Sequence, residues 1–418
     1  MSWLFPKRLQ VMYRRQRAVS RSLCATAAMA AAPVFAAQVY VQPVATISAE
    51  TDSNLDLQPA SQGSVRNVEG YIADVAALIG IATPDSNTTI RPRIDYRDYP
   101  ADSGDDRLEG SLDFNSAYRS QRSKSSVYVG FQRRDEFNAE LSSAQYDVYS
   151  PVQPTAPETG RTIVGATRES LILLPDYSYS ITPLIAAGVS AIYQQLNYTP
   201  NNSTGAVDFD YYQGKAYLRW TLDQKNDLTV GGYGSKYQAS HFDSRATAGG
   251  LTAALDTSWS PLLSTSASVV YQRTNIDTAI PSPFKEVANP WGAAFSAVYK
   301  AEVNQFRMDA GRLITPSGGG GIYVNDHLQF QYSRNFSQRL AFTGAAIALR
   351  DRGLTSNVNG DDRTYVRTVV DLKWMIAPTW FVQGGYQYMW QKYEIEPDGA
   401  SNNRIYIRFG YQGLDRQW

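Results

Sequence analysis

The sequence predicts an all-β chain, a transmembrane up-and-down antiparallel β-barrel of about 18 strands, with 16 as the alternative count. Three observations predict it. Apolar and polar side chains alternate at a period of two along most of the chain. Short and long connections take turns. An aromatic residue stands just before many of the short ones. Composition agrees with this. The 418 residues include 28 Tyr against 15 Phe, with 8 Trp and 30 Gly, and 19% are charged, where a soluble domain carries ~25%. A mean hydropathy of −0.35 excludes a bundle of membrane helices.

The amino terminus stands apart. Lys7, Arg8, Arg14, Arg15, Arg17 and Arg21 precede the uncharged, Ala-rich stretch 22–35. Val34 and Ala36 have the size and spacing that a signal peptidase reads. We therefore expect a secretory signal peptide over 1–36 and a barrel over 37–418. The apolar stretch is shorter than the ~20 residues that cross a bilayer, and 75–82 and 345–349 are shorter still. Cys24, the one cysteine, falls inside the signal. The mature chain then has an acidic excess and no thiol for a disulfide, for catalysis or for a metal.

Strands are expected at 38–48, 68–82, 88–98, 107–119, 125–137, 165–181, 184–197, 207–221, 228–240, 246–259, 263–274, 290–300, 305–314, 322–335, 339–350, 362–376, 380–393 and 403–412. The first is the weakest, because Pro43 lacks a ladder donor. In the third, Ile90, Ile94 and Tyr96 oppose Arg91, Arg93, Asp95 and Arg97. In the fourth, Leu108, Leu112, Phe114 and Tyr118 oppose Glu109, Asp113, Asn115 and Arg119. In the eighth, Ala216, Leu218 and Trp220 oppose Gln213, Lys215, Tyr217 and Arg219. In the sixteenth, Val366, Val370, Leu372 and Trp374 oppose Arg367, Asp371 and Lys373. The last sets Ile405, Ile407, Phe409 and Tyr411 against Arg404, Tyr406 and Arg408.

A soluble sandwich also alternates, so the connections decide. Short ones lie at 83–87, 120–124, 181–183, 222–227, 260–262, 301–304, 336–338 and 377–379. Between them run mostly longer, polar ones at 49–67, 99–106, 138–164, 198–206, 275–289, 315–321, 351–361 and 394–402, with the brief 241–245 as the exception. Tight turns at one end and long loops at the other mark a transmembrane barrel. Tyr118, Tyr179, Trp220, Trp259, Tyr299, Tyr332 and Trp374, placed just before short turns, read as an interfacial girdle. An even strand count puts both termini in the periplasm.

The mature chain resembles the outer-membrane β-barrel porins often encoded in exopolysaccharide gene clusters of Gram-negative bacteria. The likeness is carried by Glu50-Thr-Asp-Ser-Asn54-Leu-Asp-Leu57, by the turn Asp176-Tyr-Ser-Tyr179-Ser-Ile-Thr-Pro-Leu-Ile, and by Tyr211-Tyr-Gln-Gly-Lys-Ala-Tyr-Leu-Arg-Trp-Thr-Leu. It is a likeness of pattern over nearly the whole mature chain. The usual ending on an aromatic is modified, since Tyr411 closes the last strand while the chain runs on to Trp418. The resemblance implies an outer-membrane pore serving passage or export of polysaccharide. Expected partners are outer-membrane lipid and lipopolysaccharide, the barrel assembly machinery and polysaccharide export components.

The residues offer little catalytic chemistry. His241 and His327 are the only histidines; neither has the spacing of a metal pair, and the nearness of Asp243 and Ser244 to His241 in sequence does not make a triad, which needs aligned geometry. His241 reads as a loop residue and His327 as a lumen residue. Gly318–Gly321 lacks the Lys-Ser/Thr of a phosphate cradle. The acidic loops at Asp102, Asp105 and Asp106 and at Asp361 and Asp362 lack calcium-loop spacing. No basic patch with interleaved aromatics points to nucleic acid. No catalytic residue, cofactor or metal is expected.

Charge on the polar face is more informative, because bases outnumber acids there. Arg91, Arg93, Arg97, Arg367, Lys373, Arg404 and Arg408 fall on the third, sixteenth and eighteenth strands, which share one arc of a closed barrel. The interleaved strands are expected to add little charge, chiefly Glu69, Asp74 and Lys392, with Asp95 and Asp371 as partial offsets. These seven bases are the expected pore-lining, selectivity-setting residues, and they favour anionic solutes. Two other readings stay open. One is an outer-membrane hydrolase borne on the barrel rim. The other is a structural or adhesive barrel plugged by 138–164.

Overall fold

The structure, a computed structural model, describes residues 37–62, 65–100, 106–135, 166–199, 207–239, 244–278, 283–318, 320–354, 362–413 and 416–417. The expected signal peptide, His241, Trp418 and the 138–164 loop lie outside them.

Eighteen antiparallel strands form one closed sheet. They are β1 (Gln38–Asp52), β2 (Val68–Ala82), β3 (Ser86–Asp98), β4 (Arg107–Arg119), β5 (Ser123–Asp135) and β6 (Thr167–Ser180). Next come β7 (Ile185–Thr199), β8 (Phe209–Thr221), β9 (Asn226–Ala239), β10 (Ser244–Ser258) and β11 (Leu263–Thr278). Strand β12 has two segments, Phe284–Ala288 and Trp291–Lys300. The rest are β13 (Asn304–Pro316), β14 (Ile322–Asn335), β15 (Leu340–Gly353), β16 (Arg363–Met375), β17 (Trp380–Tyr393) and β18 (Ala400–Gln412). Each strand pairs with its sequence neighbours, and β1 closes the barrel on β18 from Val44↔Gln412 to Asp52↔Arg404. The count is thus 18 and not 16.

Prolines sit where the ladder can spare a donor. The carbonyl of Pro43 accepts from Gly413 N at 2.7 Å. Its missing N–H therefore faces the point where β18 stops pairing, and Arg416 and Gln417 rejoin β1 one residue out of step. This bulge is how a proline fits a closing strand. Pro290 splits β12 in the same way, yet both segments keep one register against β11, with Thr274↔Ala288 and Tyr271↔Trp291. The strand expected at 290–300 is therefore longer than the periodicity indicated.

Closing a sheet crowds the side chains that point inward and spreads those that point outward. The outward set is apolar and exposed, including Ile47, Val75, Ile94, Leu112, Val189, Leu251, Val269, Phe330, Leu372 and Ile407. The aromatics before the short turns all lie on it, with Trp374 53% and Trp259 59% exposed. A second girdle, unnoticed in the sequence, rings the long-loop end with Tyr71, Tyr96, Tyr212, Tyr271, Trp291 and Tyr386. Strands of 13–16 residues exceed the ~9–11 that span a bilayer, so they project beyond it.

Candidate functional site

The inward faces make two different walls. On the arc from β16 through the closure to β6, the buried inward side chains are mostly polar, and several are charged. Arg404 reaches Asp52 through Nη2 and Nε at 2.9 Å, and lies 3.8 Å from Glu50. Tyr99, one residue beyond β3, donates to Glu50 at 2.9 Å. Burial, then the Glu50 carboxylate, pushes the Tyr99 phenol up to about 12, so it stays a neutral donor. Arg97 meets Asp95 at 3.3 Å, Arg93 meets Asp74 at 2.9 Å, and Arg363 meets Asp351 at 3.0 Å with both side chains 2% exposed.

Each expected pore-lining base can be placed. Arg91, Arg93 and Arg97 project inward from β3. Arg367 is buried on β16 and donates to Gln387 at 2.7 Å. Lys373 donates to Gln412 at 3.0 Å and lies over the Phe381 ring. Arg404 joins the acid pair of β1. Arg408 faces inward on β18, over the ring of Tyr406, whose hydroxyl donates to Asp371. The structure thus puts all seven on one arc.

It corrects the charge reckoning around them. Glu69 precedes the exposed, outward Tyr71 by two residues and shares its face, and Lys392 also points outward, donating to Pro397 O at 3.2 Å. Neither adds charge to the lumen. Strand β1, expected to be nearly neutral, instead supplies Glu50 and Asp52. Asp176 and Asp351 are further inward acids, and the buried Arg168 and Arg363 are further inward bases. The inward basic surplus is therefore smaller than the alternation implied. The acids were hidden because β1 runs four residues past the expected end at 48, into the Glu50-Thr-Asp stretch that reads as loop.

The opposite arc, β7 to β14, is apolar at its long-loop end. Leu196, Tyr198, Phe209, Tyr237, Ala246, Ile276 and Ile322 form one buried cluster. The loop after β13 folds onto it. Tyr237 donates to Ser317 O at 2.8 Å, and Val207 N donates to Gly318 O at 2.7 Å. A second inward loop follows β1. Its Leu57, at a φ of 47°, packs on Ile347, Leu349, Tyr365 and Met389, and its carbonyl accepts from Gln391 at 3.0 Å. The segment of the plugged alternative, 138–164, is outside the described residues, whereas these two loops, which were not expected to enter the lumen, narrow it. Their signal was available, since Leu55 and Leu57 are apolar residues within a polar connection.

Inward rings lie flat against the wall. A side chain on Gly80 would collide with Tyr40, one on Gly188 with Tyr217, one on Gly385 with Tyr406 and one on Gly410 with Phe381. Each ring occupies the space that a neighbouring glycine vacates, and so it does not reach towards the axis.

His327 is half-buried on β14, with Nδ1 3.1 Å from Asn325 Oδ1. It contacts the wall, as the alternation predicted.

A closed barrel with an apolar belt between two aromatic girdles defines the class: this is a transmembrane β-barrel of the bacterial outer-membrane type. No protein-family model matches the sequence, and no curated protein matches it. Among solved structures the chain is similar to Pseudomonas aeruginosa OccK2 (OpdF), with 11% identity and a TM-score of 0.46 over 90% of this chain and 98% of the other. It is similar to a BenF-like porin from Pseudomonas fluorescens Pf-5, with 11% identity and a TM-score of 0.45 over 90% and 99%. It is similar also to the P. aeruginosa outer membrane protein OpdK, with 8% identity and a TM-score of 0.44 over 91% and 99%. The fold assignment rests on the strand register of the chain itself.

Proposed function

We propose that the protein is an outer-membrane porin, a passive aqueous channel that favours anionic solutes, with acidic polysaccharide as its traffic. The carrying observation is the inward charged arc of a closed 18-strand barrel, since barrels of 16–18 strands generally leave an aqueous lumen. Seven bases on that arc supply the attraction. Arg93, Arg97 and Arg404 are held by Asp74, Asp95 and Asp52. The partners fix where the guanidiniums stand while lowering the net field. Arg408 and Lys373 lie nearer the short-turn end, among Tyr406, Phe381 and Gln412. The two inward loops act as a partial screen at the long-loop end, and the polysaccharide reading comes from the sequence resemblance.

Reversal potentials in planar bilayers under a salt gradient test this. Anion preference is expected. Replacing Arg91 and Arg408 with Gln, which leaves the Arg93–Asp74 and Arg404–Asp52 pairs intact, should move the potential towards cations without loss of assembly, because lumen residues tune selectivity. A cation-selective native channel would refute the anionic reading. Absence of any conductance would refute the channel itself and favour a plugged barrel.

A further inference from the structure

On the outward face at the long-loop end, charge is divided by sector. Over β9 to β15 it is basic. Lys236, Arg245, Arg273 and Arg350 are exposed there, and Arg312 and Arg352 clasp one carboxylate, Asp326. Lys285 pairs with Asp277 at 3.0 Å in the same sector. Over β2 to β8 the same rim carries Glu69, Asp98, Glu169 and Asp210, with Arg133 alone among the described bases standing 3.6 Å from Glu169.

Height gives the basic sector its meaning. Leu263 begins β11 at the short-turn side, and Arg273 follows on the same face. Ten residues at ~3.3 Å each, on a strand tilted ~40°, climb about 25 Å. That is the height of the apolar band of such barrels, about 25 Å. Lys236 and Arg350 stand equally far from the starts of β9 and β15. Beneath Arg273 on its own strand lies Tyr271, paired with Trp291 of the same upper girdle, and Arg312 stacks on the Trp291 ring at 4.6 Å. The bases therefore sit at the headgroup level of the outer leaflet, outside the barrel, where a solute in the lumen cannot reach them.

We propose that the outward rim of β9 to β15 is a docking surface for lipopolysaccharide, through the phosphates of its lipid A. Fixed cations at headgroup height, above an aromatic and apolar wall, match an amphiphile with phosphates over acyl chains. Asp326 takes Nε and Nη2 of Arg312 and Nη2 of Arg352, which fixes two guanidiniums at this height and leaves their remaining N–H groups for a phosphate. The acidic excess of the opposite sector steers the same lipid away from it, so one side of the barrel is coated.

Binding of lipid A to the purified, folded full-length barrel in detergent tests this, with native mass spectrometry as the readout. Bisphosphorylated lipid A should bind at least tenfold more tightly than its dephosphorylated form. Changing Lys236, Arg245, Arg273 and Arg350 to Gln should remove that difference, with the heat-dependent gel shift retained. Asp98→Asn with Asp210→Asn, in the acidic sector, should leave it in place. Equal binding of the two lipids, an unchanged preference in the Gln variant, or equally tight binding of phosphatidylglycerol would overturn the proposal. Should the fourfold variant not assemble, Arg273→Gln and Arg350→Gln made singly should each weaken the preference, and no weakening in either would equally overturn it.

Discussion

The two walls of the lumen are stabilised in opposite ways. The arc around the closure buries ions and satisfies them with one another, as in Arg363–Asp351 and Arg404–Asp52. The arc from β7 to β14 buries Leu196, Phe209 and Ile276 and holds a loop with two hydrogen bonds to backbone carbonyls. A charged wall is intolerant of losing one partner, because the remaining ion stays desolvated. An apolar wall loses only the contacts that are deleted. The barrel thus combines a side suited to attracting solutes with a side suited to carrying a fold-in loop.

Breaking the charged side should have the largest effect. Arg363→Ala leaves Asp351 buried without its cation and should cost about 3–5 kcal/mol, read as a lower urea midpoint in lipid vesicles. Adding Asp351→Leu should recover most of the loss, and no recovery would mean that the pair is not the source. On the apolar side, Leu196→Ala, fully buried, should cost about 2–5 kcal/mol in the same assay, with no rescue by any charge change. Between inside and outside, Ile407→Arg should cost roughly 2–4 kcal/mol and reduce heat-modifiable barrel, whereas Tyr406→Arg, facing Asp371 in the lumen, should assemble. Equal assembly would invert the facing of β18. The smallest effect is expected from Tyr237→Phe, which removes the bond to Ser317 O at a cost of about 0.5–1.5 kcal/mol. Its readout is noisier single-channel current at unchanged selectivity.

The barrel was legible because period-two alternation survives in each strand, and because short and long connections sort the two ends. The seven bases could be placed by parity alone, since Arg404 and Arg408 share a face whatever surrounds them. Their partners could not. Glu50 and Asp52 belong to β1 only because β2 pairs with it as far as Val68, and no local pattern announces that length. Leu55 and Leu57 hinted at the inward course of the loop after β1, but not at where it packs, for a related reason. Leu57 is buried by residues about 290 to 340 positions away in sequence, and the contact exists only once the barrel is closed.

The flat rings have a consequence for how such a pore can change its size. Bore is set by ring and glycine together, so a single methyl on Gly385 or Gly188 would unseat Tyr406 or Tyr217 and swing a phenol into the passage. A lineage could narrow or widen its sieve by trading glycine for alanine, with no charge added or removed and the lipid-facing surface untouched. The methyl on Gly385 would also press on Asp371, and Tyr217 beside Gly188 holds Asp176, so bore and inward charge shift together.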